Sequence, residues 1–252
     1  MINNRHNYIL KRINDDGKVF ITELATSLNV SEMTIRRDLK ELEAVHLLRR
    51  VYGGAVSASG RSYEPPLLVR SKVEIEAKIR IGKYAANYVD DGDSLAIDIG
   101  STTYEFARNL TAKKNLTIIT PGLIIADMFI TRPDIRTILP GGIVRHSERS
   151  LTGQLTVKAF EGLFVDKLFL AMGGISSHAG CTEYNWEDSV VKHAMIKSAK
   201  EVIALVDASK FEIIAFAQIC ALTSLNRLIT NAAPPNELYQ ALKEAHVEVD
   251  LV

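Results

Sequence analysis

The stretch Ser31–Arg50, SEMTIRRDLKELEAVHLLRR, decides how the front of the chain is read. Ser31 stands where a helix N-cap belongs, because its hydroxyl can accept a hydrogen bond from a first-turn amide that lacks a partner within the helix. Ile35, Leu39 and Leu42 then recur at steps of four and three, so they share one stripe facing a core. At 3.6 residues per turn, the opposite side carries Met33, Arg37 and Lys40, flanked by Thr34, Arg36 and Glu41. One face is apolar and the other mostly cationic.

That pattern alone also fits a solvated surface helix, so its neighbours decide. Upstream, Tyr8, Ile9, Leu10 and Ile13 predict a first helix ending at Asp15-Asp16-Gly17. Thr22 is placed to cap a short second helix over Glu23–Leu28, before an Asn29-Val30 turn delivers Ser31. Two short helices and a third with cations outward make a helix-turn-helix, whose third helix enters the DNA major groove. Downstream, Leu47–Val51 and the turn Tyr52-Gly53-Gly54 predict a β wing. Thr34 and Arg37 are the expected base-edge contacts, with Met33 against a thymine methyl. Arg36, Lys40, Arg49 and Arg50 are expected on phosphates, and Ser31 completes the set at the helix start. One short helix covers too few base pairs for useful specificity, so at least a homodimer on a double-stranded operator is expected.

Composition allows this. The 252 residues suffice for one domain of about 60 residues and one of about 180. With 47% hydrophobic and 24% charged residues the chain reads as globular, and no apolar run approaches the ~18 residues of a membrane span. The start, MINNRHNYILKRINDD, lacks the pattern of a secretory signal, so a cytoplasmic location without a membrane partner is expected. Net charge is zero, and residues 1–56 hold nine Lys plus Arg against seven Asp plus Glu. DNA binding therefore rests on where the cations lie. Cys181 and Cys220 are the only cysteines and lack zinc-site spacing; both are expected to be reduced, structural thiols. His178 and His193 have no second ligand at short spacing, so neither a metal nor a cofactor is expected.

We place the winged helix-turn-helix at residues 1–57, a linker at 58–72 around Pro65-Pro66, and an effector-sensing domain at 73–252. Val73–Val89 predicts a helix. Seven short apolar runs follow, at Ser94–Ile99, Leu116–Thr120, Ile135–Leu139, Lys167–Met172, Val202–Asp207, Arg227–Thr230 and Val247–Leu251, and helical stretches separate most of them. This alternation predicts an α/β fold with a mostly parallel sheet covered on both faces.

Ligands of such sheets bind at the carboxyl ends of strands. The first run leads into Asp98-Ile99-Gly100-Ser101-Thr102-Thr103, whose amides, hydroxyls and helix start suit a phosphate. Without the glycine spacing of nucleotide loops, ATP and NAD are excluded as first guesses. Pro140-Gly141-Gly142 with Arg145, Gly173-Gly174, and Ser209-Lys210 follow other runs and complete a candidate anion pocket. Packing is the expected role of Trp186 beside Tyr184.

Residues 30–56, VSEMTIRRDLKELEAVHLLRRVYGGAV, resemble the amino-terminal signature of DeoR-type bacterial transcriptional regulators, in which V-S-x-x-T-I-R-R-D-L precedes a Gly-Gly-Ala wing. Asp98, Gly100, Thr102 and Thr103, then Gly141-Gly142, Gly153, Gly173-Gly174-Ile175, Gly180 and Asp207-x-Ser209-Lys210-Phe211, are similar to the sensor domain of that family in order and approximate spacing. The sequence departs from the pattern at Pro121-Gly122 and at Asn231. The resemblance spans nearly the whole chain. It implies a Rossmann-like, sugar-phosphate-isomerase-like sensor domain behind the DNA-binding domain. It also implies a repressor of carbohydrate genes relieved by a phosphorylated sugar. Related isomerases carry an acid cluster where this chain has Leu170-Ala171-Met172-Gly173-Gly174, so no catalytic residue is expected. The alternative, an isomerase-like enzyme with an appended DNA-binding domain, needs Glu183, Glu187 or Asp188 to supply a carboxylate.

Overall fold

The computed structural model describes residues 4–44, 47–57 and 60–252. The chain forms two compact units, Met1–Val73 and Glu74–Val252.

In the first unit, α1 (Asn4–Asp16) leads into β1 (Lys18–Phe20), α2 (Ile21–Ser27) and α3 (Glu32–Ala44); β2 (Leu48–Val51), β3 (Gly54–Ser57) and the short α4 (Leu67–Arg70) follow. Gly17 closes α1 in the left-handed region at φ 70°, its N–H reaching the Ile13 carbonyl at 2.8 Å. Ser31 caps α3 as expected, its Oγ accepting from the Thr34 N–H at 3.2 Å. Thr22 does not cap α2. The chain passes from β1 straight into that helix, and the Ile21 N–H is met instead by the Gly53 carbonyl of the wing turn at 2.9 Å. Ile35, Leu39 and Leu42 are buried with Ile9, Ile13, Leu24 and Leu48 in one core.

The wing is a three-stranded antiparallel sheet in the order β1-β3-β2, and β1 was absent from the sequence reading. Gly54 is needed there, since a Cβ would lie 2.0 Å from the Val19 carbonyl oxygen.

The second unit opens with α5 (Ile75–Ala85), shorter than the predicted Val73–Val89, and continues with β4 (Ser94–Ile97), α6 (Ser101–Ala107), β5 (Thr117–Ile119), α7 (Leu123–Asp127) and β6 (Arg136–Ile138). Next come β7 (Ile143–Arg145), β8 (Ser150–Thr152), α8 (Gln154–Lys158), β9 (Val165–Leu170), β10 (Gly174–Ser176), β11 (Gly180–Glu183) and α9 (Trp186–Ser198). The last are β12 (Ala199–Leu205), β13 (Ala217–Cys220), β14 (Arg227–Thr230), α10 (Asn236–Glu244) and β15 (Glu248–Leu251).

All seven predicted runs supply strands of one seven-stranded sheet, ordered β15-β14-β12-β9-β4-β5-β6, with every pairing parallel. Successive strand residues enter opposite cores. Leu168, Leu170 and Ala204 join α9 residues Val191 and Met195 on one side, whereas Phe169, Ile203 and Leu205 join Ile81 of α5 and Phe106 of α6 on the other. Phe106 stacks on Phe169 with ring centroids 3.8 Å apart. The chain builds outward from β4 in one direction and from β9 in the other, so the order reverses between these two neighbours. A crevice at such a reversal is where doubly wound sheets bind ligands. The hairpin β7-β8 and the antiparallel sheet β10-β11-β13 were not anticipated. Among the described residues, no helix is long and apolar enough to cross a membrane.

Candidate DNA interface and effector site

On α3 and the wing, Met33, Thr34, Arg36, Arg37, Lys40 and Arg50 line a concave surface of about 410 Å³. Met33 is 74% exposed, a large apolar side chain with nothing of its own domain over it. Arg36 lies 3.4 Å from Glu32, an exposed pair that restrains it little. Arg50 is held more firmly, since Glu43 takes its Nε at 2.6 Å and its backbone N–H at 2.9 Å. Those two bonds, the side-chain one first, hold the Glu43 carboxyl below its usual range. Among the described residues, Arg37, Lys40 and Arg49 make no ion pair.

Strand alternation separates the two wing arginines. Arg50 sits opposite buried Ala55, whereas Arg49 sits opposite Val56, level with Lys18 across the sheet, and stays outside the concave surface. The Ser31 hydroxyl is within 2.9 Å of Thr34 Oγ1 besides capping the helix, so its work is local.

Asp38, on the buried side of α3, escaped the sequence reading. Arg5 binds it through two N–H groups, one of them to Oδ1 at 2.8 Å, and His6 Nε2 lies 3.2 Å from the same oxygen. Burial would raise this carboxyl, yet the bonds from Arg5 and His6 outweigh it and hold the carboxyl low. His6, Asp38 and Glu41 bring three donor atoms within 4.8 Å of one another, but Arg5 already occupies the central carboxylate, so the group pins α1 to α3.

In the second unit, Asp98 follows β4 and is 1% exposed. Its Oδ2 accepts the Ala171 N–H at 3.0 Å from the end of β9 and meets Lys192 Nζ at 2.6 Å. Lys192, on α9, also reaches Glu183 at 2.9 Å and the Ala171 carbonyl at 2.8 Å. Burial opposes the ammonium, but Asp98 and Glu183 prevail and raise its pKa. Two carboxylates share one cation, and burial together with Glu183 raises Asp98 despite the pull of Lys192. This triad ties together four elements at the sheet reversal.

Of the other expected effector residues, Gly100 and Gly173 lie directly against it, through Ala171 and Glu183. A Cβ on Gly100 would stand 2.7 Å from the Ala171 methyl, so β4 and β9 ends approach closely there. Ser101 and Thr102 are 7% and 6% exposed at the start of α6, and among the described residues their hydroxyls have no partner. Thr103 turns inward and donates to the Gly100 carbonyl at 3.1 Å. Gly173 lies against the Tyr184 ring, which Lys210 also approaches at 5.6 Å from its centroid. Arg145, on β7, is ion-paired with buried Asp188 in the first turn of α9. Gly142 leaves no room for a Cβ, with Thr156 Oγ1 at 2.2 Å, while the Gly141 carbonyl accepts from Thr156 at 2.9 Å. The segment from Glu183 to Asp188 thus links Asp98, Gly173, Lys210 and Arg145. Trp186, expected to pack, is 61% exposed, and His178 and His193 are exposed.

Comparison with known proteins fits both halves. Residues 5–61 match the DeoR-like helix-turn-helix domain, and residues 73–232 match the DeoR C terminal sensor domain. The chain belongs to the DeoR family. Among relatives, this DeoR-family chain is 32% identical over 247 residues to the glycerol-3-phosphate regulon repressor of Escherichia coli, covering 98% of each chain. It is 33% identical over 241 residues to the HTH-type transcriptional repressor GlcR of Bacillus subtilis, covering 96% of this chain and 93% of the relative. The solved ribose 5 phosphate isomerase A of Neisseria gonorrhoeae aligns with a TM-score of 0.41 at 14% identity, over 55% of this chain and 54% of that one. The sensor match ends before α10 and β15, so every candidate effector residue described above lies within it. Within this DeoR sensor domain, Lys192 is the residue that sequence reading missed, since a lysine between Val191 and His193 resembles a surface position.

Proposed function

We propose that this DeoR-family chain is a repressor of carbohydrate genes that grips its operator through α3 and lets go when a phosphorylated sugar occupies the reversal between β4 and β9. The supporting observation is the concave face of Met33, Thr34, Arg36, Arg37, Lys40 and Arg50, built on the third helix of a DeoR-like helix-turn-helix domain. Thr34 and Arg37 read base edges, Met33 meets a thymine methyl, and Arg36, Lys40 and Arg50 hold phosphates, with Arg49 reaching the backbone from the outer wing face. In the sensor domain, the Ser101 and Thr102 hydroxyls and first-turn amides receive the phosphoryl group, while Lys210 and Arg145 supply cationic charge. A relative matched along 98% of its length is named for a glycerol-3-phosphate regulon, which accords with a small phosphorylated effector. The protein acts in the cytoplasm as a homodimer or larger assembly, because paired half-sites need paired helices.

Repression rather than catalysis is favoured by Glu183, whose two oxygens are already engaged by Lys192 and by the Tyr184 N–H at 2.8 Å, and by Asp188, which is held by Arg145. Gel-shift titration on the DNA upstream of its own gene, repeated with a panel of sugar phosphates, tests this reading. A retarded complex that one sugar phosphate dissolves is expected. Failure to retard that DNA, or turnover of any sugar phosphate that Glu183→Gln abolishes, overturns it.

A further inference from the structure

We propose that Cys181 and Cys220 form a reversible intramolecular disulfide when the protein meets a hydroperoxide. The two are direct partners on the antiparallel strands β11 and β13, at the last pair before the register shifts between Cys181 and Thr182. Residues opposed in this way have Cα atoms roughly 4.5 or 5.5 Å apart, within the window of about 4.4–6.8 Å that a disulfide spans. Both side chains enter the same apolar cluster beside Met195, so they lie on one face of the sheet. Neither thiol is engaged in a disulfide. The backbones are close here as well, for a Cβ on Gly180 would stand 2.4 Å from the Cys220 carbonyl oxygen.

The two thiols are chemically unequal. Cys181 is fully buried, while Cys220, 9% exposed, is the one a small oxidant reaches. The neighbouring Cys181 thiol lowers the Cys220 pKa against the effect of burial, and Ser224 and the Lys192 ammonium pull the same way. The same contact and burial drive Cys181 well above the usual thiol range. A thiolate is the nucleophile in such chemistry, so Cys220 reacts first. Its sulfur attacks one oxygen of hydrogen peroxide, the O–O bond breaks, and the departing hydroxide takes up a proton as water. The resulting Cys220 sulfenic acid is then attacked by the Cys181 sulfur; the S–O bond breaks, and the second hydroxide leaves as water with the Cys181 proton. Two thiols lose two electrons in total, and one peroxide gains them. The new bond fastens β13 to β11 two residues before Glu183, whose carboxylate holds Lys192 and, through it, Asp98.

The test uses the full-length chain treated with hydrogen peroxide, denatured, alkylated with iodoacetamide and weighed intact. Because these are the only cysteines, the readout is unambiguous. A monomer that takes up no alkyl group, is lighter by two hydrogens and regains both thiols with dithiothreitol is expected. Cys181→Ser should hold a dimedone-reactive sulfenic acid at Cys220, whereas Cys220→Ser should give no dimedone adduct. Two alkylated thiols after peroxide, a bond between chains, or a dimedone adduct on Cys181 in Cys220→Ser each overturn the proposal.

Discussion

Replacing Lys192 by Met would leave Asp98 and Glu183, 1% and 5% exposed, without their shared cation. Removing one member of a buried ion pair costs roughly 3–5 kcal/mol. The Ala171 and Tyr184 N–H groups still bond the two carboxylates, so the lower part of that range is expected at neutral pH. At a slope of about 2 kcal/mol per molar urea, the midpoint should fall by on the order of 1.5–2 M. Trp186, the single tryptophan, begins α9 and reports on this unit by fluorescence. The pH dependence has a definite sign. Asp98 is already raised in the native protein, and loss of the Lys192 ammonium that pulls it down raises it further. A carboxyl with a raised folded-state pKa favours folding only when protonated, so its penalty is full above that pKa and shrinks as pH falls through it. The deficit of Lys192→Met should therefore be smaller at about pH 5 than at about pH 8. Adding Glu183→Gln removes one of the stranded charges and should recover part of the loss. A deficit under about 1 kcal/mol, or one equal at both pH values, refutes the reasoning.

Further outcomes follow from the same contacts. Arg37→Ala should cost about 1–3 kcal/mol in operator affinity and relax base preference at one position, whereas Lys40→Ala should weaken all DNA alike and lower the salt slope by about one. Uniform loss from both, in gel shifts against mismatched competitors, would remove Arg37 from base reading. Ser101→Ala should weaken a bound sugar phosphate by roughly 0.5–1.5 kcal/mol in titration calorimetry, and an unchanged affinity would exclude its hydroxyl from the site. Asp38 has a lowered pKa, so its contribution is present above the unfolded-state value and is lost as pH falls through the folded-state one. Asp38→Asn should then destabilise the amino-terminal unit at neutral pH and flatten its acid unfolding followed by circular dichroism; an acid limb identical to that of the unaltered protein would contradict this.

What the sequence made legible depended on how far apart interacting residues lie. The stripe Ile35, Leu39, Leu42 and the Ser31 cap are local, and both appear in the structure. The seven apolar runs were readable because strands buried on both faces need no alternation. Short strands such as Gly174–Ser176 carry little hydrophobic pattern, and they form only against partners elsewhere in the chain. Asp38 and Lys192 were illegible for the same reason. Each occupies the buried side of a helix beside apolar residues, and the groups that satisfy it include Arg5, 33 residues away, and Asp98, 94 residues away.

The charge pattern at the sheet reversal also limits how a sugar phosphate can be oriented. Two carboxylates gather around one ammonium beside Ala171, so the triad has no spare cation to offer an anion. A phosphoryl group placed against the triad would meet carboxylate oxygens and an ammonium that Asp98, Glu183 and the Ala171 carbonyl already hold. Placed at Ser101 and Thr102, it meets hydroxyls and the unpaired amides of a helix start instead. On the proposed effector reading, the phosphoryl end lies at the α6 turn and the sugar hydroxyls face Asp98. On that orientation, Asp98→Asn should alter which sugar is preferred while the demand for a phosphate persists. Loss of the phosphate requirement in that variant would show the ligand to lie the other way round.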